Sequence, residues 1–192
     1  MENIEIKSHN PKFKENLAKT IEYLYESDKV VDYLKIGYIN MAPWATEKSD
    51  NNSKIKYIGQ PFWSKNAIEH FKIYGINGLR HEHVIPNKII REKLNSSKKG
   101  FNEIFEILDK LVHAVIVTKE EASELDRHFK YKLPDNINFQ INNNSLFLFS
   151  RYIEFNKMND AKKIEIFFLN EEQRNTSKSI KSLEFNVLKK ML

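Results

Sequence analysis

Residues 101–129 constrain this chain most. Phe101, Ile104, Phe105, Leu108 and Leu111 recur at helical spacing and form one apolar stripe. Val112 to Val117 follows as an apolar run broken only by His113, and it reads as a buried strand. Thr118 with Glu121 three residues later is a capping box, so a helix starts there and runs to about Phe129. Helix, buried strand and helix in direct succession predict a mixed fold of the α+β class.

The flanking segments fit that class. Leu17, Ile21 and Leu24 lie on one side of a helix predicted within 11–35, and Ser27-Asp28 can cap a second one that ends at Pro43. Residues 45–60 read as a polar connection, with a short strand at 54–58. Ser64 caps a helix carrying Ala67, Ile68 and Phe71. Gly75-Ile76-Asn77-Gly78 is a turn, and residues 79–86 are a strand closed by Pro86. Asn87 to Leu94 reads as helix. Beyond Leu133-Pro134 the character changes. Residues 137–141, 145–155 and 163–169 are rich in β-formers, and 180–192 reads as a final helix. The expected division is therefore 1–132, helical with a strand–insertion–strand–helix unit at 79–130, and 133–192, a β-rich part.

Composition narrows the chemistry. The chain has 192 residues, 41% of them hydrophobic, which is enough for a core. Cysteine is absent, which excludes disulfides, thiolate metal sites and cysteine nucleophiles. With 5 glycines and no glycine-rich phosphate loop, the nucleotide-binding fingerprints are missing. No apolar run is long enough to span a bilayer, so no membrane partner is expected. The acidic, polar start Met1-Glu2-Asn3-Ile4-Glu5 does not resemble a signal peptide, and a cytoplasmic location is expected. The net charge of +5 permits a nucleic-acid partner without requiring one. There are 26 Lys, 5 Arg, 22 Ile and 21 Asn, a bias typical of AT-rich coding. The few arginines are therefore the more informative cations.

One of them, Arg80, opens the segment Arg80-His81-Glu82-His83-Val84-Ile85-Pro86, where a carboxylate stands between two imidazoles. Imidazole is a metal ligand and a base near neutral pH, and carboxylates hold hard divalent cations. Glu82-His83-Val84-Ile85-Pro86 resembles the first motif of the HNH, or ββα-metal, nucleases. The resemblance implies a metal-dependent DNA endonuclease, of a kind found in restriction and defence, that hydrolyses phosphodiester bonds. It implies a Mg or Mn ion held by Glu82 with His81, His83 as the base that activates water, and His113 in the place of the orienting Asn. The run at 112–117 would be the second strand and 118–129 the helix, with 87–111 as an insertion. The family's helix ligand falls on Ala122, which cannot bind metal. Glu121, Glu124 and His128 are the nearby substitutes. Arg80, Lys88 and Arg91 are candidate contacts to DNA, with RNA not distinguished and a homo-oligomer possible.

Structural readings stand beside these. In a regular strand His81 and His83 share a face and Glu82 points away, so a joint site needs a bend at the strand end. His83 also reads as a core-edge histidine bonded to a backbone carbonyl, His113 as a core histidine, Glu121 as a helix cap, and Glu124 with His128 as a surface pair. The nuclease reading expects residues 81–83 at the mouth of a cleft, opposite the 118–129 helix. The competing reading is a nucleic-acid-binding or protein-partner module with a degenerate, non-cleaving site.

Overall fold

The computed structural model describes residues 11–26, 57–96, 100–134, 148–174 and 177–191. The expected helix after Ser27, the strand at 54–58 up to Lys56, and the strand at 137–141 lie outside them.

Among the described residues, five strands form one mixed sheet: β1 (Phe62–Ser64), β2 (Leu79–His83), β3 (Ala114–Thr118), β4 (Ile166–Phe168) and β5 (Lys189–Lys190). The order is β2-β3-β1-β4-β5. β3 lies at the centre of the sequence pattern and near the centre of the sheet. It runs parallel to β1 and antiparallel to β2. β4 is antiparallel to β1, and β5 to β4. All five residues of β3 are buried, as an apolar run covered on both faces must be.

The helices are α1 (Pro11–Glu26), α2 (Lys65–Tyr74), α3 (Asn87–Asn95), α4 (Phe101–Leu111), α5 (Lys119–Phe129), α6 (Ser150–Met158), α7 (Glu171–Arg174) and α8 (Ser177–Lys181). They cover the sheet in two layers. Ala122, Leu125 and Phe129 of α5 and Tyr152 and Phe155 of α6 pack on Phe62, Val115, Val117 and Ile166. On the opposite face, Ala67, Ile68 and Phe71 of α2 and Ile180 of α8 pack on Trp63, Leu79, Ile116 and Phe167. A third core joins α1, α3 and α4 through Leu17, Ile21, Ile90, Leu94, Ile104, Leu108 and Leu111. The insertion between β2 and β3 is thus a helical layer with α1 as its lid. Glu22 of α1 accepts from the Phe101 N–H at 2.7 Å and caps α4 from outside.

Three elements differ from expectation. β1 is only three residues long, too short to show alternation, and exists through its pairing on both sides. Residues 150–158 are helix rather than strand: Ser150, Arg151 and Tyr152 are buried in succession and Phe155 about one turn on, and that burial outweighs β-propensity. The expected final helix is split into α8, a 3₁₀ turn at Phe185–Val187, and β5, where the Met191 N–H bonds to the Ile166 carbonyl. The C-terminal residues therefore complete the same sheet and core rather than a separate β-rich layer.

Candidate functional site

The Glu-His segment forms β2, at one edge of the sheet among the described residues. It pairs in regular antiparallel register with β3: Arg80 with Val117, His81 with Ile116, Glu82 with Val115, His83 with Ala114. Register is kept to the last residue, so the bend a joint Glu82–His83 site requires is absent. Side chains alternate accordingly. Glu82 and Arg80 project on the face covered by α5 and α6. His81 and His83 project on the face of α2, their rings edge to face at 5.3 Å. His81 is buried and His83 half-buried. The helix expected opposite all three residues thus covers the face of Glu82 and not the face of His81 and His83.

Glu82 has a specific partner. Its Oε1 accepts from Arg151 Nη1 at 3.3 Å and Nη2 at 3.2 Å, and Arg151 Nη1 also donates to the His83 carbonyl at 2.8 Å. Arg151 is 1% exposed. Burial pushes the Glu82 carboxyl up and Asp126 of α5 adds to the rise, while Arg151 and Arg80 oppose it. Asp126 and Arg151 are the two members of this group that the sequence did not single out. Asp126 lies four residues after Ala122, on the same side of α5, which is a signal available from spacing alone. Arg151 is 69 positions from Glu82 and carried none. The Tyr152 phenol stands in the same field, raised well above its usual range chiefly by burial, then by Glu82. Its hydroxyl has no hydrogen-bond partner among the described residues.

The remaining candidates have structural work. His113 lies at the start of β3 and is buried. Its Nε2 bonds to the Asp109 carbonyl at 2.9 Å, and its ring meets Phe62 edge-on. Burial pushes it down to about 4. It shares the Phe62 face, so it does not sit beside His83. Glu121 closes the capping box: Oε2 accepts from the Thr118 N–H at 2.9 Å and from Ser64 Oγ at 2.6 Å, and Oε1 from Asn66 Nδ2 at 3.0 Å. Ser64 in turn accepts from the Ala67 N–H, so one carboxylate ties together the N-termini of α2 and α5. Glu124 pairs at the surface with Arg127 at 2.9 Å and Lys162 at 3.2 Å, and Lys162, then Arg127, holds its carboxyl below the usual range. His128 is exposed, its ring near Phe129 and Phe155. Ala122 is core. Arg80, Lys88 and Arg91 are exposed, with Lys88 3.8 Å from Glu92.

The residues therefore do not fit the divalent ion that the resemblance implies. Among the described residues, no three His, Asp or Glu side chains come together as a ligand set. Glu82 is committed to a guanidinium, Glu121 to two helix caps and Glu124 to surface cations. His81 and His83 lie across the sheet. The arrangement can present cations at the β2–α3 surface and hold a buried ion pair beneath α5 and α6. Searches of protein-family models, of curated proteins and of solved structures find no match for this chain.

Proposed function

We propose that this chain is a nucleic-acid-binding protein built on an HNH-like strand–insertion–strand–helix unit that binds without hydrolysing. One observation carries the reading. Glu82 and His83 leave β2 on opposite faces, so a metal ligand and a general base cannot address one phosphate from the same side. The antiparallel β2–β3 pair followed directly by α5 supports the likeness to that family at the level of layout. The charge of +5 and the exposed Arg80, Lys88 and Arg91 favour a polyanionic partner, with DNA as the first candidate and RNA as the comparison.

The test is a mobility shift on duplex DNA across a salt series. Each phosphate contact contributes a log–log slope of about −0.9, so three cations predict about −3. The Arg80→Gln, Lys88→Gln, Arg91→Gln triple variant should flatten the slope toward zero. Unchanged binding in that variant would remove this surface from the proposal.

A second reading has its own support. Among the described residues β2 lies at the edge of the sheet, so Glu82 and His83 border the same rim from either side, and the charge of Asp126 on α5 adds to the rise of the Glu82 carboxyl. Plasmid nicking that requires Mg or Mn and disappears in Glu82→Gln would replace the binding reading with endonuclease activity.

A further inference from the structure

The arginines of this chain divide by what they hold. Arg174 is buried and donates to the Gly59 carbonyl at 2.5 Å, and Arg127 pairs at the surface with Glu124 at 2.9 Å. Arg151, 1% exposed, comes from the first turn of α6 and grips two consecutive residues of β2, the Glu82 carboxylate and the His83 carbonyl. Arg80 and Arg91 are exposed, and neither makes a hydrogen bond or an ion pair among the described residues.

For Arg80 that is informative, because a carboxylate lies within its reach. Arg80 stands two residues before Glu82 on the same face of β2. Their Cα atoms are about 7 Å apart, a span that an arginine side chain covers. Glu82 is nonetheless engaged from the other side. Its Oε1 accepts both Arg151 bonds, at 3.3 and 3.2 Å. Burial lifts the Glu82 carboxyl, and of the two guanidiniums that oppose the rise Arg151 acts more strongly than Arg80. A planar fork that bonds a carboxylate and a neighbouring carbonyl together is the stronger competitor for that oxygen.

We propose that Arg151 is a positioning residue for the nucleic-acid surface: by taking up Glu82 from inside the fold, it leaves the Arg80 guanidinium unpaired on β2 and open to a phosphate. The inference rests on the nucleic-acid reading above and names the residue that controls one of its contacts.

Two measurements on the full chain test it. The first is arginine side-chain NMR without DNA, assigned by single Arg→Lys variants, at about pH 8, well above the carboxylate range. Rotation about Cζ–Nε should be hindered for Arg151 and free for Arg80. In Arg151→Met, Arg80 should become hindered as it pairs with Glu82. The second is the mobility shift on duplex DNA. Exposed ion pairs shift equilibria by up to about fivefold, so Arg151→Met should weaken binding by about two- to fivefold. Its salt slope should flatten by up to about 0.9, the share of one phosphate contact. Glu82→Gln in the Arg151→Met background should restore both, which a merely structural role for Arg151 would not allow. Hindered rotation of Arg80 in the wild type overturns the proposal. So does a cooperatively melting Arg151→Met in which Arg80 still rotates freely, or a loss of binding that Glu82→Gln does not restore. If Arg151→Met does not fold, the wild-type spectrum decides: Arg151 hindered and Arg80 free supports the proposal, and the reverse overturns it. If the wild type binds no DNA, the nucleic-acid reading fails, and the NMR comparison still decides which arginine holds Glu82.

Discussion

Buried polar groups at single positions set the chemistry of this fold. Tyr152 is fully buried, and its hydroxyl lacks a partner among the described residues. A buried, unsatisfied hydroxyl costs on the order of 1–3 kcal/mol. Tyr152→Phe keeps the ring against Phe149 and removes that cost, so urea unfolding should show a stability gain of about 1 kcal/mol. His113 gives a pH-dependent prediction of the opposite kind. Its folded value of about 4 lies below the unfolded reference of 6.5. The unfolded chain binds the extra proton first, so the stability from the neutral ring is complete above about pH 6.5 and is lost as pH falls toward 4. The loss amounts to about 3 kcal/mol at most, since one pH unit is worth about 1.4 kcal/mol. Melting temperatures of wild type and His113→Phe should converge or cross as pH drops from 7 to 4.5. Parallel curves would show that His113 is not the titrating group. The core role of His113 was one of the readings its apolar flanks allowed. The role of Arg151 was hidden, because long-range ion pairs leave no local pattern.

Helix ends show how much of an element the sequence specifies. Thr118 and Glu121 mark the start of α5 by local spacing, and Ser64 marks α2 in the same way. That both caps share the Glu121 carboxylate is tertiary, since Ser64 and Glu121 are 57 residues apart. Glu121→Ala should therefore cost more than a single cap, about 2–3 kcal/mol against the ~1 kcal/mol typical of one. Ser64→Ala should cost about 1 kcal/mol, and the double variant should fall short of the sum because both remove the same bond. Additive losses would mean that the two caps act independently. The same logic explains where residue type and observed element diverge. Residues 150–158 carry Tyr, Ile and Phe, which favour strands as residue types, yet the segment packs against α5 as a helix that buries Arg151 and Tyr152 with Phe155 one turn on. β5 comprises two lysines, and no propensity singles it out. It forms because β4 offers an open edge.

At the scale of the whole molecule, the question is whether the shift in character near Pro134 divides the chain into independent parts. The sequence suggests it, since periodicity weakens and β-formers accumulate there. The sheet argues otherwise: β4, from the C-terminal part, is hydrogen-bonded to β1, and Phe149, Tyr152, Phe155, Ile164 and Ile166 share one core with Phe62, Val115, Val117 and Leu125. Burying side chains of this size contributes about 1.5–3 kcal/mol each, so these five contribute on the order of 10 kcal/mol. That is comparable to the entire stability of an ordinary domain, about 5–15 kcal/mol. Among the described residues, the α1, α3 and α4 cluster is the core whose buried members all precede residue 134. A fragment of residues 1–134 should therefore keep helical signal but lose cooperative melting, with an amide NMR spectrum collapsed to narrow dispersion. The full chain should melt in a single transition by both circular dichroism and tryptophan fluorescence, since Trp63 lies on the sheet that both parts build. A fragment that melts cooperatively, or a full chain with two separate transitions, would show that the boundary read from the sequence is real and that β4 only docks against a finished domain.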